Sequence, residues 1–392
     1  MRININEDFH KLNDNYLFCE INKRVKACKE KNPEVKIINL GIGDVKLPLG
    51  KTVTEAMTKA CLEQGEKGTF HGYSPDTGYD FLKSAISDYY KKYGVSVDKD
   101  EIFVSDGAKS DIGNLTDLFG DNIVYITDPV YPVYLDSNIM SSHEVVFMDA
   151  TKENGFLPMP MAEYKTGIYY LCSPNNPTGA VYTREKLDTW VEFAIETGSL
   201  IIFDAAYEAF INGNYPHSVY EIKGAEECAI EVCSFSKTAG FTGIRCGYTV
   251  IPEEIRCGNV SLNKMWRRRQ STKFNGVSYI TQRGAEAAYS DKGINEWRQN
   301  INYYMKNATR MADFLKKRYI EYTGGENAPY LWVKCPNGYG SWEFFDYLLE
   351  NCHITVTPGE GFGKCGEGYF RISSFCSPAD MSESIERLGV LL

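Results

Sequence analysis

The run Ser234-Phe235-Ser236-Lys237, followed eight residues later by Arg245, sets one amine behind two hydroxyls and ahead of a guanidinium. Such an amine can form a Schiff base with an aldehyde, and the small donors and fixed cation suit a phosphate dianion on the same molecule. A lysine among serines is ordinarily a solvated surface residue, so the other chemistry-bearing residues have to decide.

Pyridoxal 5'-phosphate joins an aldehyde to a phosphate, and its pyridine nitrogen asks for a further partner. Leu200-Ile201-Ile202-Phe203-Asp204 ends an apolar run in a carboxylate. Buried, that carboxylate is costly unless it meets a cation, which a protonated ring nitrogen would supply; a helix N-cap fits the local sequence equally well. Tyr207, three residues on, and the Asn176 amide are candidate donors to the ring's phenolate oxygen. Asn175-Asn176-Pro177-Thr178-Gly179 is by itself an ordinary turn pattern. Its Asn176-Pro177 bond is predicted cis, since X-Pro is where cis peptides occur.

Gly107-Ala108-Lys109 follows a strand-like run and opens a helix-like one, whose unpaired N–H groups favour phosphate. Ala108 and Lys109 thus join Ser234, Ser236 and Arg245 as candidate phosphate ligands. Tyr131, in Asp128-Pro129-Val130-Tyr131-Pro132, is placed near the ring face or the substrate, or is simply one packing tyrosine among 27. Downstream, Gly368-Tyr369-Phe370-Arg371-Ile372-Ser373 puts an arginine inside an apolar strand. A bidentate α-carboxylate would answer it; an internal salt bridge is the alternative. Gly359-Glu360-Gly361-Phe362-Gly363 imitates a phosphate loop without strand–turn–helix context and reads as a mobile loop.

The elements that must position these residues alternate along the chain. Thr52–Glu63 and Gly78–Tyr93 have helical spacing. Glu101–Ser105, Asn122–Thr127, His143–Phe147, Gly167–Cys172 and Ser199–Phe203 are short, β-rich and nearly all apolar, as in a parallel sheet covered on both faces. The polar motifs come directly after these runs, at the strand ends where an open α/β sheet binds its ligand. The segment from about Asn295 opens with a long helical run to Arg318 and continues as mixed strand and helix, a smaller α+β unit to which the first 45 residues are expected to add.

At 392 residues the chain is long enough for two domains and a deep, dry site. Net charge −10 argues against non-specific nucleic-acid binding, and the runs Arg267-Arg268-Arg269 and Lys316-Lys317-Arg318 do not reverse it. No stretch approaches the roughly 18 apolar residues of a membrane span, and Met1–His10 lacks a signal peptide's apolar core, so the expectation is a cytoplasmic protein with neither membrane nor nucleic-acid partner. Twelve cysteines without a C-x-x-C pair read as reduced, mostly buried thiols; they and the five histidines suggest no metal site.

Taken in order, Asp-x-x-Tyr, Asn-Asn-Pro-Thr-Gly, Ser-x-Ser-Lys and a late arginine resemble the fold-type I pyridoxal-phosphate aminotransferases over the whole length. Longer strings resemble the diaminopimelate-specific branch of that family: Tyr16-Leu17-Phe18, Val104-Ser105-Asp106-Gly107-Ala108-Lys109, Cys172-Ser173-Pro174, Ala239-Gly240-Phe241-Thr242-Gly243, Phe274-Asn275-Gly276 and Asn327-Ala328-Pro329-Tyr330. The resemblance implies an N-terminal arm (1–45), a large cofactor-binding domain with a mostly parallel seven-stranded sheet (46–290) and a small C-terminal domain (291–392). It implies a homodimer with shared active sites and transfer of an amino group from LL-2,6-diaminopimelate to 2-oxoglutarate, the keto product cyclising to tetrahydrodipicolinate on the route to lysine. Lys237 is then the Schiff-base lysine, its pKa depressed by burial so that it can serve as general base and acid.

Arg371, with the Asn176 amide and the backbone of Gly43, would receive the α-carboxylate. Tyr16, Lys109, Tyr131 and Asn275 would recognise or support the distal end, with Tyr16, Tyr73 and Asn275 coming from the partner subunit and Tyr73 and Asn275 also binding the cofactor, so Lys109 has two candidate roles. Where the branch has glutamate in Tyr-Gly-x-Glu-Gln-Gly, this chain reads Tyr73-Ser74-Pro75-Asp76-Thr77-Gly78, and Asp76 is one methylene shorter for a distal ammonium. The competing readings are a broad aspartate or aromatic aminotransferase or a C–S lyase on the same scaffold and, more distantly, a regulatory module fused to a DNA-binding domain. Residues 1–45 leave no room for a winged helix.

Overall fold

The computed structural model describes residues 3–12 and 17–391. Seven strands form a large sheet: β1 (Ile102–Ser105), β2 (Ile123–Asp128), β3 (Glu144–Asp149), β4 (Ile168–Cys172), β5 (Leu200–Asp204), β6 (Ala229–Ser234) and β7 (Gly247–Val250). Their order is β1-β7-β6-β5-β4-β2-β3. β7 runs antiparallel to both neighbours, and every other pairing is parallel. Nearly every residue of β2, β4, β5 and β6 is buried, so their apolar runs are explained by helices on both faces.

Two features differ from the sequence reading. β6 and β7 lie beyond the five strand-like runs read from the residues, and they complete the seven-stranded sheet that the resemblance implies. β3 is not buried on both faces: Glu144, Phe147 and Asp149 are exposed because it is the sheet's edge.

Helix Asp80–Lys91 buries Leu82, Ile86, Tyr89 and Tyr90, one stripe at helical spacing. Helix Arg184–Thr197 starts on Thr183, whose hydroxyl accepts from the Lys186 N–H, and stops at Gly198 in the left-handed region at φ 64°. The 27-residue helix Asp291–Lys317 leads to a second, antiparallel sheet of Tyr322–Gly324, Tyr330–Lys334, Tyr369–Ser373 and Thr357–Pro358. Near the start of the chain, Ile38-Asn39 pairs in parallel with Ile354-Thr355, tying the beginning of the sequence to this second unit.

The glycine run 359–363 is a packed turn rather than a mobile loop. Gly359–Phe362 forms a 3-10 helix in which Gly359 and Phe362 are buried, and a Cβ on Gly359 would collide with the Gly366 carbonyl oxygen. Its glycines permit close backbone approach. All twelve cysteines are free; Cys19, Cys61 and Cys257 are exposed, Cys365 is partly so, and the rest are buried. Among the described residues no helix is long and apolar enough to cross a membrane.

Candidate active site

At the carboxyl edge of the large sheet, Ser105, Gly247 and Ser234 sit side by side in the register of β1, β7 and β6. That row draws together the segments just after β1 and β6 and the one just before β7, namely Gly107-Ala108-Lys109, Ser236-Lys237 and Arg245. The crowding explains the glycines. A Cβ on Gly247 would meet the Cys233 oxygen at 2.7 Å and the Gly107 Cα at 2.8 Å, and one on Gly107, at φ 135°, would meet Arg245 Nη2 at 2.5 Å.

These segments wall a cavity of about 360 Å³. On one side Ser234 caps the short helix Phe235–Thr238, its Oγ accepting from the Ser236 N–H at 3.0 Å, and Arg245 Nη1 donates to Ser236 Oγ at 3.2 Å. Arg245 holds φ 70°, a strained value for a side-chain-bearing residue, fixed by its bond to the Thr242 carbonyl and the packing around it. Opposite, helix Ala108–Leu115 presents its first turn with no side chain capping it. Two hydroxyls, a guanidinium and an open helix N-terminus are the donor set a phosphate requires.

Lys237 lies between this cradle and the rest of the cavity, its Nζ donating to the Gly43 carbonyl. Burial is the main cause that lowers its pKa to about 8; the nearby Asp44 carboxylate opposes it, and Arg371 and Arg245 reinforce it. The ammonium is therefore easily unloaded near neutrality.

Asp204 closes β5, buried. Its Oδ1 accepts from the Ala206 N–H at 3.0 Å and its Oδ2 from the Tyr134 hydroxyl at 2.5 Å. Burial pushes its pKa up and these two donors pull it back. No cation pairs with it among the described residues, so a carboxylate faces the cavity with its charge unanswered. The N-cap alternative does not hold: the Ala206 bond is a local turn between residues two apart, and the helical turn that follows, Glu208–Phe210, starts from Tyr207.

Arg371, in the strand Tyr369–Ser373, is among the largest fully buried side chains. Its Nη1 donates to Asn176 Oδ1 at 2.6 Å, its Nη2 to the Gly41 carbonyl at 2.8 Å and to Thr357 Oγ1 at 3.3 Å, while Nε has no partner. Tyr330 and Phe362 lie under the guanidinium at 4.3 and 4.9 Å. No carboxylate meets it among the described residues, which removes the internal salt bridge. Asn176 spends its amide oxygen on Arg371, and the Asn176-Pro177 bond is cis, as expected.

The cavity also takes in Tyr131, Tyr207 and Gly43, with the Tyr207 and Tyr330 hydroxyls 2.7 Å apart. Lys109 lines both this cavity and the adjoining cleft. Tyr73, Asp76 and Asn275 do not reach it. Tyr73 and Asn275 are exposed and Asp76 partly so, and their loops touch each other, for a Cβ on Gly276 would meet the Pro75 oxygen at 2.6 Å. Tyr16 lies outside the described residues.

Sequence reasoning missed Tyr134, Tyr330, Asp44 and Phe18, all in the cavity wall. Tyr134 carried a faint signal, three residues beyond Tyr131 in Tyr-Pro-x-Tyr. Asp44 carried none, and its Oδ1 is buried without a partner.

The chain matches the family described as aminotransferase class I and II over residues 35–388. It is 50% identical to an LL-diaminopimelate aminotransferase of Agathobacter rectalis, covering 99% of each chain, and 52% identical to one of Parabacteroides distasonis, covering 98% of each. Among solved structures it is similar to L,L-diaminopimelate aminotransferase from Chlamydomonas reinhardtii, with TM-score 0.94 and 40% identity over 100% of this chain and 99% of that one.

Proposed function

This chain belongs to the class I and II aminotransferases, and from that premise we propose that it moves the amino group of LL-2,6-diaminopimelate to 2-oxoglutarate with pyridoxal 5'-phosphate as cofactor. The observation that carries the reaction class is a single cavity holding a depressed-pKa lysine, a buried carboxylate without a cation and a buried arginine without a carboxylate. The relatives' identity over nearly the full chain supports the donor.

When bound, pyridoxal phosphate would supply an aldehyde to receive the amino group and a ring that takes up the electron pair released at the substrate's α-carbon. Ser234, Ser236, Arg245 and the first turn of helix Ala108–Leu115 would hold the phosphate. Asp204 would pair with a protonated ring nitrogen, and the Tyr134 hydroxyl, donating to Oδ2, would favour its charged form against burial. Tyr207 and the Asn176 amide group would donate to the ring's phenolate oxygen, and Tyr131, in the same cavity wall, would help hold the ring. Arg371, which lines the cavity and meets no carboxylate among the described residues, grips the α-carboxylate. Lys237 Nζ would take the proton from the substrate's α-carbon as a base and hold it for return as an acid. With a pKa of about 8, a neutral fraction is available at physiological pH.

Tyr16, Lys109, Tyr131 and Asn275 serve the distal amino-acid head together with Asp76, while Tyr16, Tyr73 and Asn275 come from a second copy of the chain and Tyr73 and Asn275 also reach the cofactor. A homodimer thereby completes each site. A site that hydrogen-bonds a second amino-acid head rejects donors lacking it by about 10⁴-fold, since its polar groups would be left unpaired. Initial rates with 2-oxoglutarate and LL-diaminopimelate, aspartate, phenylalanine and cystathionine test the reading. Turnover of the first alone is expected; comparable rates across the panel, or pyruvate from cystathionine without an acceptor, would defeat it.

A further inference from the structure

Asp128 ends β2 at the cavity edge of the large sheet and is 3% exposed, yet it touches none of the groups assigned above. Both its oxygens are gripped from 236 and 237 residues away. The Lys364 N–H donates to Oδ2 at 3.0 Å and the Cys365 N–H to Oδ1 at 3.0 Å. The turn is shaped for this carboxylate, because Gly363 sits at φ 137° and a Cβ there would collide with Asp128 Oδ1. Two residues on, the Val130 N–H donates to the Phe362 carbonyl at 2.7 Å. Three hydrogen bonds thus stitch the loop after β2 to the turn 362–365.

Each side of the stitch carries part of the site. The loop carries Tyr131, in the cavity wall. The turn carries Phe362, whose ring lies 4.9 Å from the Arg371 guanidinium. Leu17 fills the space a Cβ on Gly361 would need, and Phe18, next along, lines the cavity. A buried carboxylate is an expensive way to join two loops, and its charge-assisted bonds are stronger and more directional than neutral ones.

We propose that Asp128 is a positioning residue for substrate binding: by clamping the turn 362–365 it seats Phe362 against Arg371 and holds Tyr131 in the cavity wall, so that the guanidinium is ready for an incoming α-carboxylate. This rests on the reading of Arg371 given above. A displacement of about 1 Å at such a site costs on the order of 100-fold.

The test uses the full chain loaded with pyridoxal phosphate, as wild type, Asp128→Ala, Asp128→Asn, Gly363→Ala and the double Asp128→Ala/Gly363→Ala. Two quantities are read: the dissociation constant of 2-oxoglutarate, from titration of the visible spectrum without turnover, and kcat and KM for the amino donor. In Asp128→Ala both the dissociation constant and KM are expected to rise about 10- to 100-fold, with kcat affected less and the visible spectrum before titration unchanged. Asp128→Asn retains one acceptor and should recover part of the loss. Gly363→Ala should lose at least as much as Asp128→Ala, because at φ 137° alanine strains the turn as well as striking the carboxylate, and the double variant should be no worse than Gly363→Ala alone, since the clamp is already broken there.

Binding of 2-oxoglutarate within about twofold of wild type in these variants, or additive losses in the double, overturns the proposal. Should Asp128→Ala fail to hold cofactor, Asp128→Asn against Gly363→Ala decides on the same terms. A wild type that binds no 2-oxoglutarate sinks the functional reading and this inference with it; a wild type that binds beside variants that bind equally well sinks the inference alone.

Discussion

Two buried acids on neighbouring strands of one sheet have opposite surroundings. Glu231, on β6, is boxed in: Tyr90 OH donates to Oε1, while Ser218 Oγ at 2.9 Å and the Val219 N–H at 2.7 Å donate to Oε2. Asp204, on β5, has two donors and opens on the cavity. Neither has a cationic partner among the described residues. Burial raises both, Glu231 to about 7. A buried charge is therefore not by itself a functional site. What separates the two is whether the fold closes around the group or leaves space for something else to answer it.

Expected effects track that distinction. Lys237→Ala should abolish turnover by at least about 10⁴-fold while leaving the fold intact, measured as donor-dependent glutamate formation beside far-ultraviolet circular dichroism. Asp204→Ala should cost about 10²- to 10³-fold in kcat and weaken cofactor retention on dialysis; loss of stability without loss of rate would put Asp204 in the same class as Glu231. Arg371→Lys keeps the charge and loses the fork, so kcat/KM for the donor should fall about 30-fold, the lower end for disturbing a buried charge pair.

The pKa of Lys237 sharpens the contrast further. The neutral amine is the reactive form, about one tenth of the total at pH 7 and about nine tenths at pH 9 for a pKa of about 8. Covalent capture of cofactor by the apoprotein, monitored by stopped-flow absorbance, should therefore accelerate as pH rises through 8 and level off above it. Acceleration continuing through pH 10 would mean an unperturbed lysine.

The smallest effect belongs to Glu231→Gln, which should leave kcat unchanged and cost about 1–3 kcal/mol at pH 5, where one buried donor loses its acceptor. Because the folded-state pKa of Glu231 is raised, its wild-type contribution is present at low pH and lost as pH rises through about 7. The penalty for the glutamine variant should accordingly shrink over that range in denaturant unfolding.

The reactive centre was legible in the sequence because each group stands directly after a strand or inside one. Asp204 and Arg371 are charged residues in apolar runs, and Lys237 and Asn176 stand in short polar motifs that follow strands; both patterns are conspicuous. Tyr134, Tyr330 and Asp44 were not legible, since a tyrosine among 27 or an aspartate in a loop acquires meaning only from what faces it across the fold. The same holds for the glycine run 359–363, whose composition suggests mobility and whose surroundings, with Asp128 against Gly363 and Leu17 against Gly361, fix it. β6 and β7 escaped because short strands with Glu231, Thr249 and Gly247 among them lack an unbroken apolar signature.

The most direct test of the central claim is the half-reaction. Protein loaded with pyridoxal phosphate is mixed with LL-diaminopimelate and no keto acid, and its visible absorbance is recorded before and after 2-oxoglutarate is added. The expected result is loss of the aldehyde-form band with the donor and its return with the acceptor, with Lys237→Ala showing neither change at a comparable rate. A wild-type spectrum indifferent to LL-diaminopimelate but responsive to aspartate or phenylalanine would contradict the account.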